Sequence, residues 1–263
     1  MEKETSIELV FRSVGERTSK IALELAKKHI RPDKIHTIEN VKPFKRAMEV
    51  QMEIKYTADY IVFMDADCLI LEDMRSFIER TREPFVDCYV VDKFRGRVHL
   101  GVHITRRDVV EAMQSVDINP DDIKYVLRPE SRRRNFALQK LGLTKSFKKF
   151  FTLHDYCQSY EHIWAKYALR ELRSRVSYQR ARLDEAIENW DKEDGDFIVA
   201  KDAVNFTKTA VPDNSDTSAV DKFILQLPKL AEDQIKRLGI KLKNDLEMDE
   251  VNSYANSDFA IKI

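Results

Sequence analysis

The 263-residue sequence predicts an α/β fold, in which a mostly parallel sheet is flanked by helices and followed by a helical C-terminal region. Strand-like and helix-like segments alternate over residues 1–116, as they do where helices connect parallel strands. The segment ADYIVFMDAD at residues 58–67 is apolar on both faces, which is typical of a buried strand. Helix-forming sequence predominates from residue 117, and we expect residues 117–263 to complete the same domain.

The individual elements follow from apolar spacing. Runs rich in β-branched and aromatic residues predict strands at 7–12, 34–39, 58–67, 85–91 and 97–106. Apolar residues at helical spacing predict helices at 20–30, 43–57, 72–83 and 107–116. Residues 121–150 are predicted to be helical and basic, residues 150–156 to form a last short strand, and the following segment a long amphipathic helix. We expect residues 252–263 to be loosely held.

Composition excludes several classes of protein. The 45 basic and 45 acidic residues cancel, so no overall positive field attracts nucleic acid or anionic lipid. The three cysteines are far apart in sequence, which argues against a disulfide framework or a cysteine zinc site and favours a reducing compartment. No apolar run reaches the roughly 20 residues that a membrane-spanning helix needs. The expected localisation is therefore cytoplasmic.

Two carboxylates end the most apolar strand. On an extended chain Asp65 and Asp67 project to the same side, where they repel each other unless a cation lies between them. Carboxylate oxygens are the ligands that Mg²⁺ and Mn²⁺ prefer, and in parallel sheets ligands bind beyond the carboxyl ends of the strands. The alternative is an ordinary solvated turn.

Residues 1–115 resemble the nucleotide-sugar half of GT-A type glycosyltransferases, and are similar to the broad family 2. The segments that carry the resemblance are IELVFRSVGERTSK, KIHTIEN, PFKRAMEVQMEIKYT and ADYIVFMDADCLI. It implies a Rossmann-like GT-A fold, with residues 1–116 binding the nucleotide sugar and 117–263 on the acceptor side. It also implies that Asp67 binds Mn²⁺ or Mg²⁺ and that Asp65 contacts the ribose or the metal. The chain departs from the family after the first strand, where RSVGERT replaces Pro-x-Tyr/Phe-Asn.

Two loops are candidates for nucleotide binding. The loop after the first strand places Arg12, Ser13 and Arg17 near the nucleotide, or else is an ordinary turn between strand and helix. It contains no glycine-rich dinucleotide or Walker pattern. Glu39 and Asn40 end the second strand, from which they could reach the base.

The motif LHDY at residues 153–156 is the second candidate centre. We predict that it opens a helix, where an anion is favoured. Family 2 members carry a catalytic carboxylate downstream of the D-x-D motif, and Asp155 is placed comparably. Some GT-A enzymes take a third metal ligand from a downstream histidine, which His154 matches. The alternative is that Asp155 only caps the helix.

Other residues have a functional and a structural interpretation. Gly101 would let the backbone approach the donor sugar, and His99 and His103 would share one side of a strand, as a metal pair or as packed histidines. The aromatic residues Tyr156, Tyr160 and Trp164 would be core or would stack on a sugar. The run RPESRRRNFALQK, residues 128–140, would grip a phosphorylated acceptor or the donor diphosphate, or form a solvated helix face.

The sequence as a whole predicts a metal-dependent glycosyltransferase. It would move a sugar from a UDP- or GDP-sugar to a hydroxyl of a glycan or other acceptor, with inversion favoured and Asp155 as the base. One alternative is a sugar-phosphate nucleotidyltransferase, although the first strand lacks the glycine-rich basic loop typical of that class. Another is a non-catalytic binding module on the same fold.

Overall fold

The structure, a computed structural model, describes residues 4–95 and 98–256, and only the backbone of Val98 and His99. In this part of the chain seven strands form one sheet: β1 (Ile7–Ser13), β2 (Lys34–Glu39), β3 (Tyr60–Asp65), β4 (Cys68–Ile70), β5 (Phe85–Asp92), β6 (Val98–Arg106) and β7 (Ser146–His154). Their order is β2-β1-β3-β6-β5-β7-β4. Strand β6 is antiparallel to both neighbours and β4 is antiparallel to β7, so the other five strands run in one direction.

Helices cover the sheet and form the C-terminal region. Those before the last strand are α1 (Ser19–Ile30), α2 (Phe44–Glu53), α3 (Arg75–Arg80), α4 (Arg107–Gln114), α5 (Ile123–Leu127) and α6 (Pro129–Leu141). Those after it are α7 (Tyr160–Arg173), α8 (Ser177–Glu188), α9 (Gly195–Ala210), α10 (Thr217–Leu238) and α11 (Met248–Ala255). The predicted fold class, a mostly parallel sheet flanked by helices with a helical C-terminal region, is confirmed.

Two large apolar clusters organise the molecule. One is built on β1, β3 to β7 and α1, and it includes Leu9, Val62 and Leu153. The other lies among α5 and α7 to α10, around Trp164 and Trp190. Strand β7 belongs to the second half of the chain but pairs with β4 and β5, so both halves contribute to one sheet.

The strand predicted at residues 58–67 is two elements separated by a turn. Strand β3 ends at Asp65, Ala66 and Asp67 form the turn, and β4 begins at Cys68. The Ala66 N–H donates to the Arg12 carbonyl at 2.9 Å, and the Ala66 carbonyl accepts from the Thr18 hydroxyl at 2.6 Å. Because these bonds hold the turn, Asp67 is not on an extended strand, and the alternation argument for the two aspartates was wrong.

The helix predicted to open at LHDY was also placed wrongly. His154 is the last residue of β7, paired with Cys68 on one side and Asp92 on the other. Asp155 follows in the left-handed conformation, with φ 64°, and its N–H donates to the Asp67 carbonyl at 3.2 Å. Helix α7 begins at Tyr160, after the Ser159 cap. The strand extends further than predicted because β4 and β5 supply pairing partners, so no helix terminus acts on Asp155.

Three boundaries differ from the predictions. Helix α6 ends at Leu141, where Gly142 adopts φ 65°, and β7 starts at Ser146, so residues 121–150 are not helical throughout. Helix α3 is shorter than the predicted 72–83. Residues 252–255, expected to be loose, belong to α11, and 257–263 lie outside the described residues.

Candidate functional site

Polar side chains gather where the co-directional strands end. Arg12 and Asp65 lie at the ends of β1 and β3, and Asp92 and His154 at the ends of β5 and β7. Asp67 enters from the turn after β3. This is the edge at which α/β sheets bind ligands.

Asp65 is held by a buried arginine. The Arg12 Nε lies 2.6 Å from Asp65 Oδ1, and its two terminal nitrogens lie 3.1 and 3.2 Å from the Glu130 carboxylate. Gln51 accepts a further bond at 2.8 Å. Burial alone would lower the pKa of Arg12, but Asp65 and Glu130 raise it well above its usual range. With 4% exposure and three partners, Arg12 positions Asp65 within the protein.

Asp67 and Asp155 share one ammonium group. Lys166, on α7, donates to a carboxylate oxygen of each, and its Nζ lies 3.2 Å from His154 Nε2. Burial alone would raise the pKa of Asp67, but Lys166 and His154 hold it well below its usual range. The pKa of Lys166 is raised by Asp155 and Asp67 against the effect of burial. Three N–H donors meet three acceptors, so the ammonium is satisfied.

A second carboxylate orients His154. Its Nδ1 lies 2.8 Å from Asp92 Oδ2, and its Nε2 is 3.6 Å from Asp67 Oδ1. The surrounding carboxylates raise the pKa of His154 against the effect of burial. A carboxylate that fixes one ring nitrogen and leaves the other directed at a cation position is the arrangement found around metal-binding histidines.

Two overlapping groups of side chains could hold a metal ion: Asp67, Cys68 and His154, and Asp92, His154 and Asp155. His154 belongs to both groups. Asp92 already accepts from His154, Phe94 and Arg95. Asp67, in the first group, lies 3.6 Å from His154 Nε2.

Two cavities meet at the aspartates. The larger, of about 400 Å³, lies between the loops after β1 and β2 and one side of α7 and α10, and Asp155 lines it. The smaller, of about 150 Å³, faces β6 and the start of α6, and His154 lines it. Asp65, Asp67 and Lys166 line both cavities. The aspartates thus separate an apolar chamber from a polar one.

Some of the residues predicted to bind the nucleotide line the larger cavity, and others lie outside it. Ser13 lines the larger cavity and bonds Glu16 at 2.8 Å, which shapes the loop after β1. Arg17 lies outside both cavities, because its guanidinium pairs with Glu250 and with carbonyls of the C-terminal segment. Glu39 is exposed and also lies outside them, whereas the residues that follow, 41–44, line the larger cavity.

Gly101 and His103 take part in packing and also line the smaller cavity. A Cβ at Gly101 would lie 3.0 Å from the Cys68 sulfur and 3.2 Å from Val90, so this glycine permits close packing of the strands. His103 Nδ1 lies 2.7 Å from Asp87, and the side chain of His99, its predicted partner, lies outside the described residues.

The aromatic residues and most of the basic run are structural. Tyr156 precedes α7 and packs against Tyr254, and Trp164 is buried with its indole N–H donating to Asp202 at 2.9 Å. Tyr160 lines neither cavity. Three consecutive arginines of α6 have partners within the protein. Arg132 donates to Asp122, Arg133 donates to backbone carbonyls, and Arg134 lies 3.5 Å from Asp87.

The sequence interpretation missed Lys166, Arg170 and Arg173. They lie at i, i+4 and i+7 on α7, a spacing that places three cations on one helix face. That pattern was the available signal, but it lay within an amphipathic helix assigned to the core. Arg170 and Arg173 line the smaller cavity beside Arg128.

Comparison with known proteins gives weak likenesses. No protein-family model and no curated protein sequence matches the chain. A putative glucose-1-phosphate thymidylyltransferase from Bacillus anthracis superposes with a TM-score of 0.39 and 10% identity, over 73% of this chain and 99% of that one. A 4-diphosphocytidyl-2C-methyl-D-erythritol synthase from Anaerococcus prevotii superposes with a TM-score of 0.37 and 8% identity, over 58% of this chain and 90% of that one. A glycosyltransferase involved in glycosylation of the major capsid of PBCV-1 superposes with a TM-score of 0.34 and 10% identity, over 57% of this chain and 94% of that one.

Likenesses at this level identify no family and carry no argument about activity, so the function has to be inferred from the residues of the chain itself. Among the described residues no helix combines the length and apolar character needed to cross a membrane.

Proposed function

We propose that this chain is a metal-dependent glycosyltransferase that moves a sugar from a nucleotide-diphosphate sugar to an acceptor hydroxyl. The observation that carries the proposal is the convergence of Asp67, His154 and Asp155 on one cation position at the strand ends, with cavities on both sides. A site that concentrates acceptor atoms around a positive charge suits a reaction in which a diphosphate leaves.

The larger cavity is the proposed nucleoside site. The loop after β1 and residues 41–44 form one wall, and apolar residues of α10, including Leu227 and Ala231, form the other. An apolar chamber with a few polar groups at one end suits a base and ribose. Asp65, fixed by Arg12 at the mouth of this chamber, is the proposed ribose contact.

Asp67 and His154 would hold Mn²⁺ or Mg²⁺. Two features support the fit: His154 is oriented by Asp92, and its Nε2 faces Asp67. A divalent ion there would supply positive charge that stabilises the leaving diphosphate. Lys166 occupies the cation position in this structure, so its side chain must move when a metal binds. The nitrogen ligand favours Mn²⁺ over Mg²⁺.

Asp155 is the proposed base. Its Oδ1 is held by Lys166, whereas its Oδ2 accepts no hydrogen bond from the described residues, and the side chain lines the larger cavity. Oδ2 is itself buried and lies 3.6 Å from His154 Nδ1, so the carboxylate would have to turn towards the cavity to take a proton from an acceptor. In the inverting reaction the acceptor oxygen would form a bond to the anomeric carbon as the bond to the diphosphate breaks, and Asp155 would take the hydroxyl proton.

Donor turnover tests the proposal. A panel of UDP- and GDP-sugars is incubated with the protein and mixed hydroxyl acceptors, and release of nucleoside diphosphate is measured with Mn²⁺ or with EDTA. We expect release from one donor class in Mn²⁺ and none in EDTA or in Asp67→Asn. The matched control is Asp117→Asn, since Asp117 is exposed and distant from the strand ends in sequence. Failure of every donor would refute the proposal.

A nucleotidyltransferase is the second candidate, and the cations of the smaller cavity favour it. Lys166, Arg128, Arg170 and Arg173 together suit the higher charge of a nucleoside triphosphate. The products distinguish the candidates. A nucleotidyltransferase releases pyrophosphate from a triphosphate and sugar phosphate, whereas a glycosyltransferase releases a nucleoside diphosphate. A protein that binds nucleotide but releases neither product would be a binding module.

A further inference from the structure

The smaller cavity contains three arginines that have no anionic partner among the described residues. Arg128 precedes α6, and Arg170 and Arg173 lie one turn apart on α7. Arg170 is 7% exposed, and no described residue accepts a hydrogen bond from it or lies within salt-bridge distance. Arg128 donates to the Arg173 carbonyl at 3.0 Å and to Gln179 at 2.6 Å, and Arg173 donates to the Leu127 carbonyl at 2.6 Å. All of these acceptors are uncharged.

The carboxylates that line this cavity are already paired. Asp65 and Glu130 accept from Arg12, and Asp67 accepts from Lys166. The cavity therefore carries more positive than negative charge. Burial and repulsion from the neighbouring Arg170 and Arg128 lower the pKa of Arg173 to about 9, as expected in a cavity with an excess of positive charge.

Uncompensated buried charge needs an explanation. Burying a charged group costs free energy unless an opposite charge or hydrogen bonds offset it. Guanidinium groups match the oxygens of phosphate in bidentate geometry, and the cavity opens directly beside Asp67 and His154. A dianion in the cavity would offset the charge of the three arginines and lie against the proposed metal position.

We propose that Arg128, Arg170 and Arg173 form a binding site for a phosphoryl group. The inference rests on the proposed function in assigning that group to a substrate. Two sources share this chemistry: the diphosphate of the donor and a phosphorylated acceptor. Arg128 and Arg170 line the smaller cavity but not the nucleoside cavity, whereas Arg173 lines both. In either case the arginines would act where the two cavities meet, and they would neutralise charge that the single metal position does not.

Titration calorimetry with inorganic pyrophosphate and inorganic phosphate, in EDTA, tests the site without metal or sugar transfer. We expect pyrophosphate to bind the wild-type protein and to bind Arg170→Met at least tenfold more weakly, with Arg170→Lys between them. Arg128→Met should show the same weakening. Arg80→Met is the matched control, because Arg80 is an exposed cation on α3 that lines neither this cavity nor the adjoining one that Arg128 and Arg170 also line, and the affinity of this variant should be unchanged.

Saturating UDP or GDP with Mn²⁺ distinguishes the sources. If the nucleotide excludes both anions, the site belongs to the donor diphosphate. If inorganic phosphate still binds and Arg170→Met abolishes that binding, the site belongs to a phosphorylated acceptor. Both results support the site.

Melting temperature without ligand serves as the folding control. Arg170→Met removes an uncompensated charge, so we expect a value equal to or above that of the wild type. Lack of anion binding by the wild-type protein, or equal binding by Arg170→Met and Arg80→Met, would overturn the proposal. Anion binding that depends on Arg170, in a protein that transfers no sugar, would leave this site standing and refute only the proposed function.

Discussion

At the scale of single residues, Lys166 supplies the positive charge between the carboxylates of the candidate site. Its ammonium contacts Asp67, Asp155 and His154, and its own side chain is 24% exposed while that of Asp155 is 2% exposed. Two carboxylates of one site would otherwise repel each other, so the lysine stabilises the ligand-free protein. A divalent metal would do the same. Lysine and metal are therefore expected to compete for one position.

Replacing Lys166 with Met tests that competition. In EDTA the variant should unfold more readily than the wild type, because removing one partner of a buried ion pair costs roughly 3–5 kcal/mol. Without the ammonium the neighbouring Asp155 carboxylate raises the pKa of Asp67. A raised pKa means that the free energy of unfolding falls as pH rises from about 4, the unfolded value, towards 7. In the wild type the pKa of Asp67 is lowered, so this carboxylate contributes no such fall there.

Urea unfolding between pH 4.5 and 7.5, with EDTA or Mn²⁺, measures the effect. Mn²⁺ should restore the stability of Lys166→Met and bind it more tightly than it binds the wild type. The exposed Lys201→Met is the matched control and should be unaffected. If Lys166→Met loses sugar transfer while neither protein responds to Mn²⁺, the lysine itself is the catalytic cation and the metal has no part.

His154 and Asp155 are adjacent but should have separable effects. Asp155→Asn is expected to lower the transfer rate by about 10²–10⁴-fold and to leave Mn²⁺-dependent nucleotide binding intact, because the base acts on the acceptor. Asn tolerates the left-handed backbone that Asp155 adopts, so folding should be retained. His154→Ala should weaken nucleotide binding and transfer together. Nucleotide calorimetry beside a transfer assay decides, and full transfer in Asp155→Asn would remove it as the base.

At the scale of elements, buried polar contacts between strands and loops help to fix the sheet. Glu8 of β1 is 1% exposed and accepts from His36 on β2 at 2.6 Å and from the Thr57 and Ala58 N–H groups before β3 at 2.7 and 2.9 Å. Burial alone would raise the pKa of Glu8, but these bonds lower it to about 2. One carboxylate thus joins β1, β2 and the segment that leads into β3, and the ends of β1 and β3 carry part of the site.

Glu8→Gln should destabilise the fold and change its acid response. A pKa lowered from 4.5 to about 2 corresponds to roughly 3 kcal/mol, a contribution that is present above pH 4.5 and lost as pH falls towards 2. Urea midpoints at pH 7 and pH 3 should therefore differ less in Glu8→Gln than in the wild type. The exposed Glu53→Gln is the control. Equal acid sensitivity of Glu8→Gln and the wild type would contradict the assignment.

The sequence was sufficient for elements with a local signal and insufficient for those that depend on partners. The apolar runs of β1 and β3 identified both strands, and their ends located Asp65. Strand β4, with three residues, has no periodicity to detect and exists because β7 pairs with it. The same pairing extends β7 to His154. Lys166 contacts Asp67 across 99 residues of chain, so no local pattern could indicate their contact.

At the scale of the whole molecule, the larger cavity lies between the loops at the sheet edge and the helical cluster. The apolar side chains on its sheet side, such as Phe44 and Ala47, pack in a separate small cluster. One wall belongs to the sheet through the loops after β1 and β2, and the other to the helical region through α7 and α10. A nucleotide bound there would contact both. Ligand binding should then stabilise both clusters together, by about 2.7 kcal/mol at a hundredfold excess over Kd.

Natural probes report each cluster separately. Both tryptophans, Trp164 and Trp190, lie in the helical cluster, and all three cysteines are buried in the sheet cluster; these are Cys68, Cys88 and Cys157. Tryptophan fluorescence therefore follows unfolding of the helical region. Thiol labelling during heating follows exposure of the sheet.

We expect UDP or GDP with Mn²⁺ to raise both transition temperatures equally. At a hundredfold excess of nucleotide over Kd the rise should be about 5–11 °C, because each kcal/mol of stabilisation shifts the melting temperature of a chain of this size by about 2–4 °C. With EDTA, or in Asp67→Asn, neither transition should move, because the metal bridge to the diphosphate is missing. A shift of the tryptophan transition alone would mean that the nucleotide binds only the helical region. A shift of the thiol-labelling transition alone would mean that the nucleotide binds only the sheet. Either result would place the nucleotide outside the cavity between the sheet edge and the helical region.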